Sequence, residues 1–147
     1  MKYKMRYEYY SKAKDKKITE SWGDYLGKWL WQWFITLTIK DEIRIGNTIK
    51  FRKVYFSSAK RYFERYIDEH NKDSEYFLAI ESDEFGDIVH LHALVRGVTK
   101  LNKWKHGRAE ILPYNKNLNA RHYVVKYITS SHTDYDFRLN QESQMQD

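Results

Sequence analysis

Residues 76–95 read YFLAIESDEFGDIVHLHALV, and this stretch decides which kind of sheet the chain can form. Residues 76–81 and 88–95 are rich in apolar and β-branched side chains, which favour strands. The polar stretch between them contains Gly86 and is typical of a hairpin turn. We therefore expect the two strands to pair side by side and to run in opposite directions.

The rest of the chain predicts further strands and helices around this hairpin. The strand FITLTI at 34–39 alternates strictly in polarity. One of its faces carries Ile35, Leu37 and Ile39, and the other carries Phe34, Thr36 and Thr38. The other predicted elements are a helix over 20–31 capped by Thr19, a turn at 46–47, a long helix over 48–70, a short strand over 109–112, and a helix over 120–130 capped by Asn119. The order indicates an α+β fold with a central antiparallel β-sheet flanked by helices.

Length and composition limit the organisation of the chain. With 147 residues it is expected to form one domain, over 18–133, preceded by a basic arm over 1–17 and followed by a polar, disordered tail over 134–147. Its 26 basic and 20 acidic residues leave a net charge of +6, which weakly favours a nucleic-acid partner. The absence of Cys excludes disulfides, thiolate zinc sites and Cys nucleophiles. Without an apolar run of membrane length or a secretory leader, we expect a cytoplasmic protein with no membrane partner.

Two histidines share one face of the predicted third strand. His90 and His92 are two residues apart, and side chains with that spacing point to the same side of a strand. Glu81 ends the neighbouring strand, so the hairpin would bring its carboxylate beside His90. Two imidazoles and a carboxylate are suitable ligands for a divalent metal. The alternative is a pair of surface histidines on an exposed sheet face.

A second group of reactive side chains falls on the predicted final helix. Tyr123 and Tyr127 are four residues apart, which places both rings on one helix face beside Lys126. A Tyr hydroxyl is a poor nucleophile unless a nearby cation or metal assists it. The alternative is that both rings pack at the edge of the core and that Lys126 lies in solvent.

In this order, the motifs resemble those of the HUH endonucleases, and in particular the rolling-circle replication initiators, or Rep proteins, of small plasmids and viruses. The strand at 34–39 is similar to their first motif. His90-Leu91-His92, preceded by Glu81, is similar to their second motif, and Tyr123-Val-Val-Lys126-Tyr127 to their third. A Trp-x-x-Gly sequence at 104–107 also recurs in this group. The resemblance spans about two-thirds of the chain.

The resemblance implies a ferredoxin- or RRM-like core and a specific chemistry. Glu81, His90 and His92 would hold one Mg²⁺ or Mn²⁺, which would polarise the scissile phosphate. Tyr123 would attack the phosphorus, leaving a 5′-phosphotyrosine link and a free 3′-OH. Tyr127 would serve as a second nucleophile or be structural, and Lys126 would neutralise charge near the metal or the phosphate.

The resemblance also implies that the partner is single-stranded DNA at a replication origin. Thr36 and Thr38 would line the DNA-binding face, and Arg121 and His122 would contact phosphates, although a solvated helix face is an alternative for the last two. No Gly-x-x-x-x-Gly-Lys motif is present, so unwinding would need a host helicase or negative supercoiling. A host polymerase would extend the 3′-OH. Both a monomer and a homodimer are compatible with the sequence.

Three other functions compete with a Rep-type nickase. A single-tyrosine HUH transposase is similarly short, but the Tyr-x-x-Lys-Tyr pattern favours Rep. A non-catalytic module that binds single-stranded nucleic acid fits the charge and the aromatic content, but it does not explain the His pair with Glu81. A hydrolase that uses a metal-bound water would need no tyrosine, so its Tyr123→Phe variant would stay active.

Overall fold

The computed structural model describes residues 17, 20–83, 86–117, 133–140, 142 and 144. Within them the chain forms two helices and six strands. The helices are α1, which includes residues 20–26, and α2, Phe56–Asp68. The strands are β1 Trp33–Ile45, β2 Thr48–Arg52, β3 Glu75–Ser82, β4 Ile88–Arg96, β5 Ala109–Pro113 and β6 Thr133–Arg138.

The strands form one antiparallel sheet in the order β2-β1-β4-β3-β6, and β5 pairs with the first part of β1. The β3–β4 hairpin has the predicted turn, in which the N–H of Gly86 donates to the carbonyl of Asp83. The predicted short strand is present as β5. The α+β class and the central antiparallel sheet are therefore confirmed.

The two faces of the sheet are covered by different helices. On one face α2 packs against alternate residues of the inner strands, and this core includes Phe63, Ile67, Ile35, Leu37, Ile39, Leu78, Ile80 and Leu91. On the other face a smaller cluster joins α1 and the residues after it to the sheet through Leu26, Trp29, Trp31, Phe77, Ala79 and Leu94. The predicted alternation of the strand at 34–39 is confirmed, because Ile35, Leu37 and Ile39 lie in the first core.

The long helix predicted over 48–70 is wrong in its first part. Residues 48–52 form β2, which pairs with Asp41–Ile45 of an extended β1, and the helix begins only at Phe56. The turn at Gly46–Asn47 accounts for the difference. Gly46 adopts a φ of +61°, which glycine tolerates and which suits a two-residue hairpin turn. The chain therefore folds back on β1 before it can start a helix.

The helix predicted over 20–31 is shorter than expected. It ends at residue 26, and the indole N–H of Trp31 donates to the Leu26 carbonyl at 2.8 Å. The indole of Trp29 donates to the carbonyl of Asn140 at 3.2 Å. Both indoles are buried in the second core, which requires the chain to leave the helix after Leu26.

The disordered tail predicted from residue 134 is wrong over Thr133–Arg138. These residues form β6, which pairs with β3 from Tyr76 to Glu81. Asp134 and Arg138 form ion pairs with Lys60 and Asp68 of α2, each at 2.8 Å. Alternation explains the strand: its charged residues face α2, and its aromatic residues face the other side.

Two predicted elements fall mainly outside the described residues. These are the helix over 120–130 and the basic arm over 1–17, of which residue 17 alone is described. The predicted domain boundary at residue 18 therefore stays a prediction. Among the described helices, none is long and apolar enough to cross a membrane.

Candidate metal centre

The β3–β4 hairpin fixes the position of Glu81 relative to the two histidines. Glu81 pairs directly with His90, and His92 pairs with Ala79. The hairpin turn is closed by Asp83, whose carboxylate accepts the backbone N–H of Asp87 at 2.8 Å. Because side chains alternate along a strand, this register puts Glu81, His90 and His92 on the same face of the sheet. That face is the one opposite α2.

Glu81 and His92 are in direct contact on this face. The Nε2 atom of His92 lies 2.9 Å from Oε1 of Glu81. The His92 side chain is 9% exposed and that of Glu81 is 31% exposed, so the imidazole is buried while the carboxylate still reaches solvent. A buried polar group must be paired to offset its desolvation, and each of these groups provides a partner for the other.

The strand β1 brings two threonines to the same face. Thr36 pairs with His92 and Thr38 with His90. The Thr38 hydroxyl lies 3.2 Å from Nδ1 of His90, and the tautomer of the ring decides which of the two donates. Outer partners of this kind fix the orientation of a ligand imidazole. Thr38 is therefore a positioning residue for His90.

The segment over 104–107 supports Thr38 from the other side of the sheet. The indole N–H of Trp104 donates to the Thr38 carbonyl at 3.0 Å, and the N–H of Thr38 donates to the carbonyl of Arg108 at 2.9 Å. Trp104 is buried in the α2 core. Its role in the structure is core packing beneath the site.

The donor set of this face suits a divalent cation. Two imidazoles and a carboxylate are accepted by Mn²⁺ and similar metals, and three protein ligands leave positions free for substrate. Among the described residues, no three His, Asp or Glu side chains are already gathered closely enough to enclose a metal. Glu81 and His92 are joined to each other, and His90 is held by Thr38. Metal binding would therefore exchange the Glu81–His92 bond for two metal bonds.

Comparison with known proteins places this site in a family. Residues 32–132 match the family model of the replication-associated protein ORF2. The chain belongs to this family. The match contains β1, β3, β4 and β5, and with them Glu81, His90, His92 and both threonines. Neither the curated proteins nor the solved structures contain a significant match to the chain. Membership of the replication-associated family indicates a role in replication.

The structure brings together five of the ten predicted site residues of this replication-associated protein. They are Thr36, Thr38, Glu81, His90 and His92. The other five lie outside the described residues: Arg121, His122, Tyr123, Lys126 and Tyr127. The described chain resumes at Thr133, which pairs directly with Glu81. The segment that carries both tyrosines therefore leads straight back to the candidate metal centre.

One acidic residue on the site face escaped the sequence analysis. Glu110 on β5 pairs with Thr36, so the two side chains share a face, and Thr36 in turn pairs with His92. Glu110 is exposed. The alternation of the predicted strand over 109–112 puts Glu110 and Leu112 on one side, but nothing in the sequence indicates that this strand lies beside β1.

Proposed function

We propose that this replication-associated protein is an HUH-type endonuclease that nicks and rejoins single-stranded DNA at a replication origin. The observation that carries the proposal is the arrangement of Glu81, His90 and His92 on one sheet face, with His92 bonded to Glu81 at 2.9 Å. Family membership supplies the link to replication. Together they favour a metal-assisted reaction on DNA over passive binding.

The metal would be held by Glu81, His90 and His92. As Mn²⁺ or Mg²⁺ it would supply positive charge to a non-bridging oxygen of the scissile phosphate. Thr38 would keep the His90 ring in place through the hydroxyl–Nδ1 contact. Since Thr38 is 9% exposed, we assign it this positioning role and leave DNA contact on β1 to the more accessible Thr36.

Tyr123 would perform the nucleophilic step. Its hydroxyl oxygen forms a bond to phosphorus and loses its proton, while the bond from phosphorus to the 3′ oxygen breaks and that oxygen takes up a proton. The products are a 5′-phosphotyrosine and a free 3′-OH, which a host polymerase can extend. Attack of a 3′-OH on the phosphotyrosine reverses the step and rejoins the strand.

Other residues of the same segment would assist this step. Lys126 would neutralise charge on the phosphate, and Arg121 and His122 would contact neighbouring phosphates. Tyr127 would act as the second nucleophile when strands are rejoined. It precedes Thr133 by six residues, and six residues of chain span at most about 22 Å. The pairing of Thr133 with Glu81 therefore supports a position for Tyr127 within reach of the metal centre.

A covalent-adduct assay tests the proposal. The full chain is incubated with Mn²⁺ and a labelled library of single-stranded oligonucleotides, and the products are separated on a denaturing gel. We expect wild type to form a protein–DNA adduct that the Tyr123→Phe variant does not form. Tyr55→Phe is the matched control, because Tyr55 is exposed and precedes α2, away from the site face.

The outcomes separate the competing functions. Loss of the adduct in Tyr127→Phe instead of Tyr123→Phe moves the nucleophile by one helical turn. Cleavage that persists without an adduct in both variants indicates a hydrolase with a water nucleophile. If wild type binds every pool of the library but neither cleaves it nor becomes attached, the protein is a binding module and the proposal is wrong.

A further inference from the structure

The β1–β2 hairpin extends past the part of β1 that pairs with β4. Residues 41–45 pair with 48–52 through the turn at Gly46–Asn47, whereas the pairing of β1 with β4 ends at Lys40. We call residues 41–52 the ribbon. Every residue of the ribbon is exposed or half-exposed, so within the described part of the chain nothing covers either of its faces.

The ribbon carries large apolar side chains that are unusually accessible. Ile45, Ile49 and Phe51 are 59%, 50% and 40% exposed. A two-stranded hairpin is marginally stable on its own, and exposed apolar side chains on such an element mark a surface that binds something. The ribbon therefore calls for a partner that can contact both polar and apolar side chains.

The charge of the ribbon specifies that partner. Residues 40–53 include five basic residues, Lys40, Arg44, Lys50, Arg52 and Lys53, and two acidic ones, Asp41 and Glu42. Of the five, Arg52 alone has a carboxylate partner among the described residues: its Nε lies 3.1 Å from Asp41. A second copy of the same ribbon would meet like charge. A polyanion such as nucleic acid is the complementary partner.

The dimensions of the ribbon fit a groove of duplex DNA. Five paired residues at about 3.3 Å per residue give a length of roughly 17 Å, and the major groove of B-DNA is about 12 Å wide and admits a two-stranded ribbon. Arg44 and Ile49 pair on one face of the ribbon, and Ile43 and Lys50 on the other. Each face can therefore combine a charged contact to phosphate or guanine with an apolar contact to a thymine methyl group.

We propose that the ribbon enters the major groove of duplex DNA that flanks the single-stranded nick site. The proposal rests on the proposed function for the choice of DNA as substrate. The ribbon begins three residues after Thr38 on the same strand, a distance of about 10 Å along β1. Duplex bound there would hold the adjoining single strand beside the metal centre and would select the origin.

Binding of a random-sequence duplex tests the proposal. Fluorescence anisotropy with a labelled duplex pool, over a series of salt concentrations, compares wild type with the double variant Arg44→Gln, Lys50→Gln. Two lost phosphate contacts would weaken binding roughly tenfold or more near physiological salt and lower the slope of log K against log salt by about 1.8. The matched control is Lys28→Gln, Lys72→Gln, which removes the same charge from two exposed lysines outside the ribbon.

A modified duplex tests the choice of groove. Cytosines that carry a glucosylated 5-hydroxymethyl group fill the major groove and leave the minor groove open. We expect wild type to bind this duplex about as weakly as the ribbon variant binds the unmodified one. Equal binding of both duplexes by wild type would overturn the proposal, and so would equal loss of affinity in the ribbon variant and the lysine control.

Two further readouts separate this inference from its alternatives. If the ribbon variant alters the sedimentation mass of the DNA-free protein and leaves duplex affinity unchanged, the ribbon joins two copies and the proposal is wrong. The adduct assay on single-stranded oligonucleotides reports on the proposed function alone. Ribbon-dependent duplex binding without any adduct in wild type would refute nicking and leave the ribbon proposal standing.

Discussion

The backbone of Gly107 lies against the carbonyl group of Thr38 so closely that a Cβ atom on residue 107 would fall 2.1 Å from the Thr38 oxygen. Only glycine fits this position, because the clashing atom belongs to backbone that is also held by Trp104. The contact links the loop at 104–107 to the residue that orients His90. Both residues of the Trp-x-x-Gly sequence thus act on Thr38.

The first prediction follows from this contact. We expect Gly107→Ala to destabilise the protein by about 3 kcal/mol, because the new methyl group forces β1 and the loop apart. Gly46→Ala is the control: Gly46 also has a positive φ, but nothing lies within 4 Å of its Cβ position, so backbone strain of about 1 kcal/mol is the expected cost. Denaturant unfolding measures both, and equal midpoints for the two variants would contradict the prediction.

The second prediction concerns the metal ligands. His92→Ala removes one imidazole and also the partner of the Glu81 carboxylate. We expect its affinity for Mn²⁺ to fall by more than the roughly 10- to 100-fold that is typical of losing an outer-shell partner. Titration calorimetry of the full chain measures this directly. His106→Ala is the control, because His106 lies in the loop that contacts β1 and α2, and unchanged affinity in His92→Ala would place the metal elsewhere.

The third prediction isolates the positioning role of Thr38. Thr38→Val keeps the shape of the side chain but loses the hydroxyl that lies 3.2 Å from His90 Nδ1. We expect Mn²⁺ affinity to fall about tenfold and stability by about 1 kcal/mol. Thr99→Val, at an exposed site after β4, should change neither quantity. Wild-type metal affinity in Thr38→Val would show that the ring is held by other contacts.

The fourth prediction concerns the attachment of β6 to α2. Burial alone would raise the pKa of Asp134, but a hydrogen bond from Lys60, the backbone N–H of Tyr135 and the charge of Lys60 together hold that pKa below its ordinary value. A depressed pKa stabilises the folded state above the unfolded-state pKa of about 3.9, and this contribution is lost as the pH falls through the folded-state pKa.

Unfolding at several pH values measures this contribution. Because the Asp134 side chain is 41% exposed, we expect Asp134→Asn to cost less than about 1 kcal/mol at pH 7 and nothing at a pH well below 3.9. Asp73→Asn, in the exposed turn after α2, should follow the wild-type profile at every pH. A deficit in Asp134→Asn that persists in acid would point to lost packing instead of lost charge.

Local patterns predicted the part of the fold that holds the site. The alternation at 34–39 and the hairpin centred on Gly86 each depend on residues close together in the chain, and these elements were confirmed. The same patterns predicted that Glu81, His90 and His92 would share a face. The contact between Thr38 and His90 was not predictable, because it depends on β1 pairing with β4, two strands that are about 50 residues apart in the chain.

The errors arose where distant contacts override local preference. Residues 48–52 contain Ile49 and Phe51, whose spacing fits either a helix or a strand, and the turn at Gly46–Asn47 decides for the strand. Residues 133–138 look polar in isolation. They form a strand because β3 offers a free edge and because Lys60 and Asp68 of α2 pair with Asp134 and Arg138.

Both histidines lie on β4, which is the middle strand in the order β2-β1-β4-β3-β6. Backbone amides of such a strand exchange with solvent only when the whole sheet opens, whereas edge strands such as β6 can detach separately. His90 and His92 therefore belong to the last part of the protein to unfold. Partial opening at the edges, including any that admits a DNA strand, leaves the two imidazoles and their spacing intact.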